Sequence, residues 1–162
     1  MRGPIHDMRE MIDTKGRLTR PELLETPMAI PDMLVNTIGN ERLQLKDVRS
    51  TLLCVSSSAL GFESIGAVIK VAEEKPVINI HLLQGLLRYS LFYYPLKRHL
   101  LLSPHTSAIL KGPQDALREL GVLNTYGGYA FWISKKGNIT WRSSGGLHAQ
   151  ELEALRQIIS HN

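Results

Sequence analysis

With 162 residues, 43% of them hydrophobic and 21% charged, the chain has the composition of an ordinary soluble protein of one domain. That length buries about 70% of the surface its unfolded form exposes, so no metal or disulfide staple is required, and the single cysteine, Cys54, excludes an internal disulfide. No apolar run reaches the roughly 20 residues that span a bilayer as a helix.

The net charge of +4 is unevenly placed. Residues 1–50 carry eight basic and eight acidic side chains, whereas residues 88–142 carry eight basic against two acidic. A basic face of that kind suits RNA, an anionic lipid surface or an acidic partner as well as plain solvation.

Taken in chain order, residues 1–27 read as an N-terminal extension held by a partner, and residues 28–162 as the domain. Within the extension, Pro4 can open a short helix that carries Met8, Met11 and Ile12 on one side and ends at Gly16; a second can start at Pro21. Asp7, Glu10 and Asp13 are interspersed among its arginines, unlike an acid-poor transit peptide. Thr26 to Pro31 is an extended lead-in, because each proline biases the residue before it away from helix. Gly39-Asn40 then turns Leu34–Ile38 into Leu43–Leu45, a small N-terminal hairpin. A buried strand is expected at Thr51–Ser56, a helix over residues 59–73 and a second strand at Val77–His81.

Residues 82–96 are expected as a helix that is apolar nearly all round, with Arg88 its only charge. Leu82, Leu86 and Tyr93 lie on one side and Leu83, Leu87, Leu91 and Tyr94 on another, more than one core face absorbs. The second side is covered either by the domain itself or by a partner or membrane surface. A third strand is expected at Arg98–Ser103, and a helix from Pro113 to Leu120 that Gly121 closes.

Gly127 to Gly146 reads as a β-hairpin and a glycine-rich turn. Gly128–Ile133 is an apolar run covered on both faces, residues 134–138 turn, and Asn138–Arg142 alternates Ile139 and Trp141 with polar partners, the pattern of one buried face. Tyr129, Phe131 and Trp141 hold the sheet against its helices; Trp132, Arg142, Ser144 and Gly145 shape an exposed end where a partner could bind. A last amphipathic helix carries Leu147, Leu152, Leu155, Ile158 and Ile159 on its apolar side. The order β-α-β-α-β-α-β-β-α makes the fold class α/β, a thioredoxin-like three-layer sandwich with an N-terminal extension and a small N-terminal hairpin.

Enzymatic chemistry finds little to stand on. A thioredoxin-like redox enzyme wants a thiolate just after the first core strand, at a helix N-terminus that lowers its pKa. Ser56-Ser57-Ser58 occupies that place, Cys54 lies two residues too early, and no proline immediately precedes the Gly128 strand. Ser144 and His148 have no nucleophile-elbow motif around them. The six histidines include no closely spaced metal-ligand pair, and no glycine-rich phosphate loop is present. No catalytic residue, cofactor, metal or small-molecule substrate is expected.

Leu120-Gly121 leading into Gly128-Tyr129-Ala130-Phe131, then Lys136-Gly137-Asn138-Ile139-Thr140-Trp141, Ser144-Gly145 and Glu151-Leu152, resembles the signature of the mitochondrial ATP synthase assembly factor family that acts on the membrane sector. Ile30-Pro31-Asp32 and the region from Val77 to Leu100 resemble it too. The chain departs from the family at Ser134, where an acid is usual, at Thr140, where a basic residue is usual, and at Arg142-Ser143, where a small pair is usual. The resemblance implies a non-enzymatic protein of the mitochondrial matrix, peripheral to the inner membrane, that binds a hydrophobic membrane-sector subunit. Partner-binding candidates are Leu86, Arg88, Tyr93, Lys97, Arg98, Trp132, Lys135, Lys136, Arg142, Ser144 and Gly145. The alternative is a stably incorporated subunit of a large mitochondrial complex, such as a mitoribosome or an enlarged ATP synthase; a third reading is a thiol peroxidase.

Overall fold

A computed structural model describes residues 22–56, 59–72, 74–83, 90–111, 115–122, 127–145 and 147–161. In chain order its elements are β1 (Glu22–Ala29), β2 (Leu34–Asn36), β3 (Arg42–Gln44), β4 (Thr51–Ser56), α1 (Ala59–Val71), β5 (Val77–Leu83), α2 (Ser90–Leu101), β6 (Thr106–Lys111), α3 (Asp115–Glu119), β7 (Gly128–Ile133), β8 (Asn138–Ser144) and α4 (Ala149–His161).

Every residue of β4 and β7 is buried, which requires ladder partners at both edges and apolar cover on both faces. The six-stranded sheet supplies the first in the order β1-β8-β7-β4-β5-β6. β4, β5 and β6 run parallel, while β7 is antiparallel to both β4 and β8, and β1 is antiparallel to β8. The second follows from side-chain alternation. Leu53 and Val55 share one face with Tyr129, Phe131 and Ile133, under Leu45 and the α3 residue Leu117. Leu52, Cys54, Ala130 and Trp132 share the other, under Ile65 and Val68 of α1 and Leu155 and Ile159 of α4. The result is three layers with two apolar interiors.

β8 breaks the simple alternation in a useful way. Trp132 pairs with Trp141 and the next residue, Ile133, with Ile139, so Thr140 is an extra residue, a β-bulge. The bulge sends Ile139 to one interior and Trp141 to the other, although the sequence pattern had placed both on one buried face. On the far side of β8, β1 is irregular at the same level, where pairing passes from Leu23↔Trp141 to Met28↔Ile139.

Three expectations are corrected. The helix expected from Pro21 is instead β1, which runs across the 27/28 boundary into the sheet. Pro27 fits there because an edge strand can leave a missing N–H facing outward. The helix expected over residues 82–96 lies later: Leu82 and Leu83 continue β5 as buried strand residues, and the helix includes Pro95 and runs to Leu101. The strand expected at Arg98–Ser103 is therefore largely helix, and its place in the sheet is taken by Thr106–Lys111, in register with Ile78–Leu83. The leucine run misled because Leu101 and Leu102 are exposed rather than buried. The helix expected from Pro4 lies outside the described residues, as do Leu86 and Arg88.

Candidate partner-binding surface

Tyr94, Arg98 and Leu101 stand at i, i+4 and i+7 on α2, which places them on one face of the helix, and Leu102 follows directly. All four are exposed: Tyr94 by 70%, Leu101 by 56% and Leu102 by 83%, with Arg98 among them. Scattered apolar residues at a surface are ordinary, but Leu34, Tyr94, Leu101 and Leu102 are the large exposed hydrophobics among the described residues, and three of them sit together here.

The ground beside this ridge is formed by the small hairpin. Ile38 donates its N–H to the Ser107 carbonyl at 2.8 Å and Thr37 bridges Ala108, which ties the hairpin to the outer edge of β6. The turn itself is held by Glu41 N–H donating to Thr37 Oγ1 at 3.1 Å, with Asn40 in the left-handed region at φ 66°. Between this turn and the end of α2 lies a cleft of about 230 Å³, lined by Ile38, Glu41, Leu100, Leu101 and His105. An apolar ridge with a cation in it, flanked by a cleft, can hold an apolar segment.

Among the described residues, the sequence-based candidates do not converge on one patch. Tyr93, Lys97 and Arg98 belong to α2, with Lys97 half-buried and Arg98 exposed. Lys135 and Lys136 are exposed in the β7–β8 turn. Arg142, on β8, is half-buried and points Nη1 at Met28 Sδ, 3.8 Å away. Trp132 and Ser144 are fully buried, and Gly145 is buried with φ 78° and its N–H on the Gly128 carbonyl at 2.8 Å. The expected exposed end at Trp132, Ser144 and Gly145 is thus interior: β7 lies between two covered faces, and Gly145 folds back onto its first residue. Tyr94 lies on the side of the expected helix that exceeds one core face, and it is exposed; Leu101 and Leu102 escape the sequence reading because Arg98–Ser103 reads as a strand, whereas the helix that continues to Leu101 aligns them with Tyr94.

Cys54 is fully buried in mid-strand, and burial pushes its thiol pKa far above the ordinary value. His81, in register with Ser56, stacks on Phe62 with ring centroids 4.2 Å apart. Burial lowers its pKa from 6.5 to about 4, and its Nε2 has no hydrogen-bond partner. Among the described residues no group of three His, Cys, Asp or Glu could hold a metal ion, and no helix is long and apolar enough to cross a membrane.

A family model described as ATP10 protein matches residues 1–161. No individually curated protein sequence matches the chain. Among solved structures, the chain is similar to a thio-disulfide isomerase from Thermus thermophilus, with a TM-score of 0.61, 12% identity and coverage of 84% of this chain and 97% of that one. It is also similar to a secreted thiol-disulfide isomerase from Corynebacterium glutamicum, with a TM-score of 0.61, 10% identity and coverage of 90% and 94%. A DsbF homologue from Corynebacterium diphtheriae gives a TM-score of 0.59 at 12% identity, covering 87% and 94%. At such identities the likeness establishes the fold, which is thioredoxin-like.

Proposed function

The chain belongs to the ATP10 protein family, whose role is ATP synthase assembly, and on that premise we propose that it is a non-enzymatic assembly factor that binds a hydrophobic subunit of the ATP synthase membrane sector. The observation that carries the proposal is the exposed α2 ridge of Tyr94, Arg98, Leu101 and Leu102 beside the hairpin cleft. A newly made membrane subunit has apolar helices with nowhere to pack, and covering them on a helix face recovers about 25 cal/mol for each Å² removed from water. Arg98 within the ridge suits an acidic group or lipid phosphate at the end of such a helix. The place of action is the matrix side of the mitochondrial inner membrane.

The thioredoxin-like fold raises the competing reading of a thiol enzyme. A thiol-disulfide exchange needs an accessible thiolate, and Cys54 is buried with its pKa pushed up. That is why binding is preferred to catalysis.

The test places a photo-crosslinking side chain at Leu102 in organelles and identifies what it captures. The expected product is a membrane-sector subunit, lost in the Leu101→Glu, Leu102→Glu variant together with assembled ATP synthase, while the variant itself accumulates normally. Unchanged assembly and unchanged crosslinks in that variant would overturn the proposal. Recovery of the protein in fixed stoichiometry with a mature complex would replace it with a resident-subunit role.

A further inference from the structure

At the opposite edge of the sheet from α2, the bulge at Thr140 faces the irregular stretch of β1, and a cavity of about 330 Å³ opens where both strands leave regular pairing. Its lining includes Lys135, Lys136, His161, Asn138, Thr140 and Pro27, and no Asp or Glu among the described residues. Neither lysine has an ion pair or hydrogen bond among the described residues. Thr140 Oγ1 is buried without a partner, although a buried hydroxyl left unmade costs about 1–3 kcal/mol. His161 Nδ1–H donates to the Gln157 carbonyl at 2.7 Å, which leaves Nε2 as an acceptor able to take a hydrogen bond from a protonated phosphate oxygen. A bulge is a common way to re-aim one side chain toward a ligand.

We propose that this cavity is a binding site for a phosphate group. Two ammonium groups supply charge with no Asp or Glu among the described lining residues, and the Thr140 hydroxyl and the Asn138 amide supply donors at its wall, the combination that a tetrahedral oxyanion requires. A concave site of this size takes one headgroup or ion, not an extended strand of RNA. Single-stranded RNA also wants exposed aromatic platforms, and both tryptophans are interior. The phosphate can be that of an anionic phospholipid or of a small soluble ligand. The site is separate from the α2 ridge, so it stands or falls independently of the partner proposed there.

Two measurements on the full chain decide it. Inorganic phosphate is titrated while backbone amide NMR signals are followed, and sedimentation is measured with phosphatidylcholine vesicles, with and without cardiolipin. Shifts confined to residues 134–140 and His161, displaced to higher phosphate concentration in Lys135→Gln, Lys136→Gln and, to a smaller extent, in Thr140→Val, establish the site. Neutralising both lysines should weaken binding about 25-fold, at roughly fivefold each, whereas Arg98→Gln should leave the phosphate shifts unchanged. Cardiolipin-dependent sedimentation lost with the same lysines identifies a lipid source; phosphate shifts without it identify a soluble one. Absence of phosphate shifts at these residues, together with sedimentation indifferent to both lysines, overturns the proposal. Binding of an RNA oligonucleotide that depends on the lysines without any phosphate-ion shift overturns it equally.

Discussion

Gly61 and Gly128 meet backbone to backbone: a Cβ on Gly128 would lie 2.1 Å from the Gly61 carbonyl oxygen, and one on Gly61 would lie 2.0 Å from Ser56 Oγ. This contact seats the first turn of α1 on the start of β7 and leaves no room for a side chain on either element. Gly128→Ala must therefore move backbone, at a cost on the order of 3 kcal/mol. For a domain of this length that lowers the melting temperature by about 6–12 °C. Gly66, in the same helix, has nothing within 4 Å of its added Cβ, and Gly66→Ala should stabilise by about 0.5–1 kcal/mol. Thermal unfolding of the two variants checks the pair; equal effects would refute the contact.

Gly137 poses a different constraint, because its φ of 81° is left-handed and the Arg49 guanidinium carbon would lie 2.4 Å from an added Cβ. Arg49 Nη1 donates to the Lys46 carbonyl at 2.6 Å and the Val48 carbonyl at 2.7 Å, which holds the guanidinium to its own segment beside Gly137. The far end of an arginine can swing aside, whereas the backbone cannot change hand. Gly137→Ala should then lose about 1–2 kcal/mol, and the loss should persist when Arg49 is also replaced by alanine. A double-mutant cycle on urea midpoints measures this; full recovery in the Arg49→Ala background would assign the cost to the side chain instead.

Much of this fold is legible in the sequence because the core strands are local signals. Thr51–Ser56 and Gly128–Ile133 are apolar, β-branched or aromatic runs bounded by turn residues, and both occur as read. β1 is not legible in the same way: ELLETPMA has no strand pattern of its own, and its partner β8 lies far along the chain. β6 is equally quiet, since Thr106-Ser107-Ala108 is small and largely polar, and Ser107 and Ala108 are buried only by their register with β5 and the hairpin bridge. The C-terminal half of the α2 ridge is hidden because Arg98–Ser103, a leucine run after Pro95, reads as a buried strand, whereas it continues the helix with Leu101 and Leu102 exposed. Bulges are invisible to a period-two pattern. Thr140 therefore shows only as a departure from a family motif, while Lys135 and Lys136 are visible as charges without the cavity that both line.

His81 predicts how stability depends on pH. Its imidazole protonates at about 4 in the folded chain, because burial penalises the charged form, against 6.5 when unfolded. Above pH 6.5 both states are neutral and the full stability is present. As pH falls from 6.5 toward 4, the unfolded state takes up its proton first, and stability drops by up to about 3 kcal/mol. His81→Leu retains apolar contact with Phe62 and removes the proton. The difference between wild-type and variant urea midpoints should thus grow below pH 6.5; a difference independent of pH would place the imidazole in water.

Cys54 offers the sharpest separation between binding and thiol chemistry. It sits in register with Asn79 on one side and Ala130 on the other, and it packs in the same interior as Trp132 and Leu155, at the middle of the sheet. A reagent reaches such a thiol only after the sheet opens, and its raised pKa leaves almost no thiolate even then until unfolding exposes it. Modification by an aromatic disulfide at pH 8 should therefore be slow, should accelerate with urea, and should track the unfolding rate. Cys54→Ala should lose about 1–2 kcal/mol by opening a small cavity and still support ATP synthase assembly where the variant folds. Fast labelling of the folded chain, or loss of assembly by a variant of wild-type stability, would restore the thiol to the mechanism.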